Sequence, residues 1–321
     1  MMYLDYNRFR SLVDEYFERF RGSPEISKRQ VNRDFGYFDI VRFFGAEAVD
    51  PTEIGITYQA KPYELSDDHI ARFAMEIKKR MTAEGRLYSG PSVMKLVEAN
   101  LAGPNKSLTV QPCHYGLQAG SCFALDYRHP LFDNHGGTLR EYYLSETQSR
   151  EVKDNPLAVC LGVSAWVVVE SADGRKLLAV HRAAHLASLE TSFGLSVAGS
   201  VEYVVEPNNL LDVMRVSIAA EVSEELGLAP SEYTYIPLAY TREIFRGERP
   251  QLFGAILTHL TLSELTARLE KHDPEKREFD DYEFLSLGID GVSSGRLADQ
   301  LNYEGRMNLE LLLQYYRTQR G

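Results

Sequence analysis

The sequence predicts an α/β (α+β) domain in which β-structure leads, preceded by a smaller, mostly helical N-terminal domain. Three observations point there. From residue 157 onward, β-branched apolar runs recur between turn signals. Stretches with helical spacing of apolar residues fall between those runs, so strands and helices interleave. The first hundred residues instead carry aromatic stripes at helical spacing. A chain of 321 residues with 44% hydrophobic and 25% charged side chains is long enough for a sizeable core.

Taken in order, YNRFRSLVDEYFERF sets Phe9, Leu12, Val13, Tyr16 and Phe20 on one helical stripe, and DDHIARFAMEIKKRM repeats the pattern with Ile70, Phe73, Met75 and Ile77. The turn signals SGP and AGPNK interrupt it, and KSLTVQPCHYG reads as a strand ending in a turn. A domain boundary is therefore expected near residue 105. Residues 106–156 carry no strong period and read as an irregular extension of the second domain, whose core spans 157–290.

Within that core, LAVCLGVSAWVVVE and KLLAVHRA flank SADGRK, a hairpin with Asp-Gly in its turn. FGLSVAGSVEYV is a further strand. NNLLDVMRVSIAAEVSEELGL is a helix with an Asn to cap its start and Gly227 to end it. Strands follow at YTYIPLAYTRE and QLFGAILTHLTL, then a helix at SELTARLEKH and a strand near YEFLSL. The remaining 291–321 are expected to be helical, at 294–302 and 305–316.

A net charge of −11 opposes attachment to phosphate backbones or anionic lipid, so neither nucleic acid nor a membrane is an expected partner. Cys113, Cys122 and Cys160 show no CxxC pairing and read as buried reduced thiols. MMYLDYNRFR lacks a signal-type apolar core and AWVVV is too short to span a bilayer, so a cytoplasmic location is expected.

The chemistry concentrates in AAEVSEELGL. On a helix, Glu221, Glu224 and Glu225 project within roughly 100° of one another, beside the apolar stripe of Leu211, Ile218, Val222 and Leu226. Like charges at this spacing repel, and the helix dipole disfavours anions in a last turn. A hard divalent cation would remove both penalties. A solvated acidic face is the other reading; if the glutamates instead serve an enzyme, Glu225→Gln is expected to remove most activity while leaving folding intact, the charge being exposed or half-exposed.

Upstream residues sharpen the choice. Glu221-Val222-Ser223-Glu224-Glu225-Leu226-Gly227-Leu228 and Gly199-Ser200-Val201-Glu202 together resemble the signature box of the Nudix hydrolases. Asp212 stands where that box has a Glu, Ala220 replaces its Arg, and the loop between Gly199 and Asp212 is longer than the usual one. The likeness covers residues 157–290 in layout. It implies a Nudix-type α/β/α sandwich on a mixed sheet, with Glu221, Glu224 and Glu225 as ligands of Mg²⁺ (or Mn²⁺) and Gly199 letting backbone approach the ion or a phosphate.

The implied reaction is hydrolysis of a nucleoside diphosphate linked to another moiety, by a metal-activated water attacking phosphorus. The helical leader, the Asn-Pro-Leu segment and the lengthened box look similar to the subgroup acting on UDP-glucose and UDP-galactose. Ala220 leaves open the alternative of a non-catalytic nucleotide or sugar-nucleotide sensor. An isomerase of the isopentenyl diphosphate type would need Cys and Glu partners that the sequence does not place.

By the same likeness, Arg182 is a candidate phosphate contact from a neighbouring strand, and Arg215 a poor stand-in for the box Arg. Candidate general bases are Glu243 and Glu248, with Glu278 and Asp280 behind them. Glu202 is a weaker candidate ligand, and His181 and His185 could touch substrate. Tyr203 and Phe245 are the aromatics nearest the box, and Trp166 reads as core. The expected partner is a small-molecule nucleotide, and a homodimer is compatible with the composition.

Overall fold

The computed structural model describes residues 6–19, 31–85, 92–146, 152–183, 192–273, 278–288, 291–293 and 301–320. In chain order the elements are α1 (Tyr6–Arg19), β1 (Val31–Asn32), β2 (Tyr37–Arg42), β3 (Gly55–Tyr58), α2 (Asp68–Ala83), β4 (Ser92–Asn100), β5 (Ser107–His114), α3 (Tyr115–Ser121) and α4 (Leu139–Glu146). Then come β6 (Gly162–Ser171), β7 (Gly174–Arg182), β8 (Phe193–Gly194), β9 (Val197–Ser200), α5 (Leu210–Glu221), β10 (Tyr233–Glu243), β11 (Arg249–Thr258), α6 (Leu262–Lys271), β12 (Phe279–Gly288), β13 (Gly291–Ser293) and α7 (Tyr303–Thr318).

A mixed sheet runs β1-β2-β10-β11-β6-β7-β12-β13, with β9 beside the start of β6 and β8 beside β7. Among its described strands only β6 and β11 run parallel. That central pair reads as near-continuous apolar sequence because both of its faces are covered. The pleat divides β6 cleanly. Val163, Ala165, Val167 and Val169 pack with α5 residues Val213, Met214 and Ile218 and α6 residues Leu265 and Leu269. Trp166 and Val168 point the other way, to Met307, Leu311 and Leu312 of α7. Helices on both faces make an α/β/α sandwich, and each large side chain so buried contributes about 1.5–3 kcal/mol. Trp166 is core, its indole N–H donating to the Gly305 carbonyl at 3.2 Å.

The N-terminal third differs from a helical leader ending at residue 105. Helices α1 and α2 lie where the aromatic stripes place them, but strand β2 joins the main sheet antiparallel to β10. Residue 105 falls in the connection between β4 and β5, which pair with each other, β5 also pairing with β3 in a second sheet. That sheet is sewn to the core through Met94 N–H to Val201 O, Leu161 N–H to Met94 O and Leu96 N–H to Val159 O. Such long-range pairings leave no local periodic signal, which is why the sequence suggests a break there.

On α2 the buried face is Ile70, Phe73, Ala74, Ile77 and Met81, whereas Met75, one residue off the 3.6 period, is 45% exposed. On α1 Phe17 joins Val13 and Tyr16 in the core; Phe20 lies outside the described residues, and the side chains of Phe9 and Leu12 are not among those described. The segment 106–156, without period in the sequence, contains β5, α3 and α4. At the C-terminus, Gly291–Ser293 is a short strand rather than helix, and the helix expected at 294–302 falls mostly outside the described residues. The helix expected at 305–316 is α7.

Candidate active site

Helix α5 starts with Asn209, whose side-chain oxygen accepts the Asp212 N–H at 3.0 Å while its amide donates to the Asp212 carboxylate at 2.8 Å. Asp212 is thus part of a cap, away from the glutamates it is grouped with in the box. Arg215 and Ala220 face solvent.

At Val222 the helix widens into a π-turn that runs to Leu226, and Gly227 ends it with φ of 67°. Such turns are rare and recur at functional sites. The extra residue per turn separates the glutamates: Glu224 points to solvent, Glu221 is half-buried, and Glu225 is 2% exposed. The end is fastened from α6, where Arg268 donates to the Gly227 carbonyl at 2.7 Å and His272 lies 2.6 Å from the Glu224 carbonyl.

Burial corrects the expectation that Glu225 is at least half exposed. Its carboxylate accepts the Ala198 N–H at 3.4 Å, and burial followed by Glu278 and Glu221 pushes its pKa well above the usual carboxylate range. Glu221 is pushed up to about 8, by burial first and then by Glu278 and Glu224, with a hydrogen bond to Glu225 pulling the other way. Gly199 makes the approach possible, because a side-chain carbon there would overlap the Glu221 carboxylate.

Arg182, at the end of β7, brings a cation to this cluster. It pairs with Glu278 at 3.1 Å and lowers the pKa of Glu225. A register shift in the β7–β12 pairing, between Phe279 and Asp281, sits beside this pair. The charges acting most on Glu221 and Glu225 are Glu278, Glu224, Glu202 and Arg182.

Glu243 and Glu248 are not among them. Both are buried at the β10–β11 turn, where Glu248 meets Arg242 at 2.6 Å and the Tyr16 hydroxyl at 2.7 Å. Glu243 lies 3.4 Å from Arg246 and 3.8 Å from Arg249. They hold a charge-balanced turn rather than a solvent-facing loop. Among the later acids considered, Glu278 comes to the glutamates, while exposed Asp280 pairs with His181. His185 lies outside the described residues. Tyr203 donates to the Gln59 carbonyl and Phe245 packs on Tyr303, so both serve packing.

Sequence reasoning passed over a group of side chains that meets Gly199-Ser200 from the other side. Buried Arg249 donates to the Cys160 carbonyl at 3.2 Å and to Gln251 at 2.8 Å, and reaches the Gly199 carbonyl and Ser200 hydroxyl at 3.5 Å. Gln118 of α3 accepts the Ser200 hydroxyl at 3.1 Å. The ring of Phe123 lies under both Arg246 and Arg249. Arginines in a strand start at 249 and a glutamine in a patternless segment carry no local signal of this convergence.

The donor set suits a hard divalent cation in kind: carboxylate oxygens only, two of them within hydrogen-bonding reach of each other, beside a glycine that admits one of them. Among the described residues, however, no three His, Cys, Asp or Glu side chains stand close enough together to hold an ion as they are. No described helix is long and apolar enough to cross a membrane.

No family model and no curated protein matches the chain. Solved structures similar to it include the NUDIX domain of Shewanella oneidensis NrtR complexed with ADP ribose, 14% identical over 56% of this chain and 97% of that one, at a TM-score of 0.35. NrtR complexed with a 27mer DNA is 12% identical over 50% and 63%, at 0.34. The C. elegans Ap4A hydrolase is 13% identical over 51% and 99%, at 0.30. Likenesses this distant carry no inference about activity or ligand.

Proposed function

We propose that the chain is a Nudix-type pyrophosphohydrolase that cleaves a nucleoside diphosphate linked to another group, a nucleotide sugar among the candidate classes. The observation that carries this reading is the packing of Glu221 on Gly199 and of Glu225 on the Ala198 N–H, with the Glu278–Arg182 pair acting on Glu225. Two carboxylates held side by side at raised pKa must stay protonated or be compensated, which makes the place where they meet a candidate functional site.

The residues that would hold Mg²⁺ or Mn²⁺ are Glu221 and Glu225, with Glu224 turning in from solvent. Bound there, the ion would neutralise diphosphate charge and make water a better nucleophile. The protein's own part is positional. Gly199 brings backbone to the diphosphate, and Arg182 supplies a fixed positive charge on one side of it. Hydrolysis forms one P–O bond from water, breaks the anhydride P–O bond, and releases a proton with the two phosphate products. Glu278, half-buried against Arg182, is the proton acceptor best placed among the later acids.

The test is turnover of nucleotide sugars, ADP-ribose, dinucleoside polyphosphates and nucleoside triphosphates with Mg²⁺ and with EDTA, beside Glu225→Gln. Metal-dependent cleavage that disappears in the variant is expected. Full turnover by Glu225→Gln, or none on any compound by the parent protein, would overturn the reading.

A further inference from the structure

Where the glutamates sit depends on how the end of α5 is held, and it is held from another helix. The last carbonyls of a helix lack partners within it. The Gly227 N–H turns back to the Val222 carbonyl, and two of the carbonyls beyond Val222 are met by side chains of the α6 region. His272 Nε2 lies 2.6 Å from the Glu224 carbonyl, and Arg268 donates to the Gly227 carbonyl at 2.7 Å. An imidazole nitrogen that bonds to a carbonyl oxygen must carry the proton, so His272 Nε2 is the donor. The same ring covers Gly227, where an added side-chain carbon would come within 2.8 Å of His272 Nδ1.

Both donors are themselves fixed. Arg268 and His272 stand one turn apart, the His272 N–H closing that turn on the Arg268 carbonyl at 3.0 Å. Leu265 and Leu269 anchor the helix in the core. Glu232, just ahead of β10, accepts the Arg268 guanidinium through both oxygens, at 2.6 and 3.1 Å, and takes the Ala229 N–H at 2.8 Å. Glu225 lies in sequence between the two clamped carbonyls. The backbone that carries it is therefore tied on both sides, and its carboxylate is presented to the Ala198 N–H at 3.4 Å.

We propose that Arg268 and His272 are positioning residues of the carboxylate site: they hold the π-turn, and the π-turn sets Glu225 inward and Glu224 outward. This rests on reading the glutamates as ligands of a divalent cation. Neither side chain is assigned a contact with the ion or the substrate, and each acts through the backbone beside Glu225. Groups that orient a ligating carboxylate are worth about 10- to 100-fold in metal affinity. Both residues are half-buried, so either can be replaced without stranding a fully buried charge.

The experiment compares the full parent chain with His272→Leu, which removes one donor, Arg268→Met, which removes the other, and His272→Gln, whose amide can donate to the same carbonyl. Hydrogen exchange of the Ala198 amide is measured without metal, against amides of β10 and β11 as reference, and Mn²⁺ affinity is measured by calorimetry. Thermal unfolding shows that each variant is folded. Expected are faster exchange at Ala198 and about tenfold weaker Mn²⁺ binding in His272→Leu and Arg268→Met, with His272→Gln close to the parent in both. Unchanged Mn²⁺ affinity in folded His272→Leu and Arg268→Met would overturn the positioning role and leave the cation site standing. If the parent binds no Mn²⁺ but Ala198 exchange still depends on His272, the cation site falls and the hold on Glu225 stands. If exchange is unchanged as well, both fall.

Discussion

Two groups of buried acids lie within this fold, and they differ in how far arginines offset them, although burial raises Glu243 of the first group as it raises Glu221 and Glu225 of the second. At the β10–β11 turn, Glu248 meets Arg242, Glu243 meets Arg246, and Glu304 meets Arg246 at 2.9 Å. Burial alone would raise Glu304, but Arg246, Arg249 and Arg182 outweigh it and hold its pKa below the ordinary value. At the end of α5, Glu221, Glu225 and Glu278 act on one another, Arg182 pairs with Glu278, and the pKa values of Glu221 and Glu225 rise. The turn is balanced internally and is structural. The second group is short of positive charge, Arg182 being set against three carboxylates, which marks it as the place where an external cation has something to do.

Removing a partner from the balanced group should have the largest effect on stability. Glu248→Ala removes the closer carboxylate from the Arg242 guanidinium, 2% exposed, leaving Asp39 at 3.3 Å, and is expected to cost about 3 kcal/mol in a denaturant titration. A loss under about 1 kcal/mol would mean that the turn is not held by its ion pairs.

The cleft should respond in the reverse sense. Glu225→Gln replaces a carboxyl whose pKa burial raises well above the ordinary range with a neutral amide. The metal-free variant is expected to be no less stable than the parent at neutral pH, while metal-dependent turnover falls by more than about 100-fold. Destabilisation on the scale of Glu248→Ala would make the two groups alike.

A pH series sharpens the contrast. Above the ordinary value of 4.5 the unfolded chain ionises Glu221 while the folded one holds its proton until about pH 8. The folded state then binds more protons, so metal-free stability should fall between those values and level off above. Glu304, depressed by its arginines, acts oppositely, stabilising above its unfolded pKa and losing that contribution as pH drops through its folded one. Thermal unfolding with EDTA and with Mg²⁺ separates them, because saturating Mg²⁺ should flatten the first decline and leave the second.

The smallest effect is expected at the box position that departs most from the family pattern. Ala220 is exposed on the solvent side of α5, so Ala220→Arg should change stability by less than about 0.5 kcal/mol. A large gain would indicate that an arginine there can reach the glutamates.

Local features of the site were legible in the sequence because they have local causes. Asn209 caps α5, Gly227 stops it, and the stripe of Leu211, Ile218, Val222 and Leu226 is buried as its spacing requires. The hairpin of β6 and β7 follows its Asp-Gly turn. The π-turn was not legible, since one added residue in a helix leaves no compositional mark, and with it went the unequal burial of Glu224 and Glu225. Nor were the long-range contacts: β2 closing on β10, the meeting of Glu278 with Arg182, and Gln118 reaching Ser200 across 82 positions of sequence. Glu243 and Glu248 were misplaced for the same reason, because a turn rich in charge reads as solvated until its counter-charges are located.

The most direct measurement is Mn²⁺ binding by the metal-free protein, followed by the loss of the free-ion paramagnetic resonance signal, in the parent chain, Glu225→Gln and Glu243→Gln. Saturable binding that Glu225→Gln abolishes and a folded Glu243→Gln retains is the expected result. No saturable binding by the parent, or equal binding by Glu225→Gln, would contradict the assignment of the uncompensated glutamates to a cation.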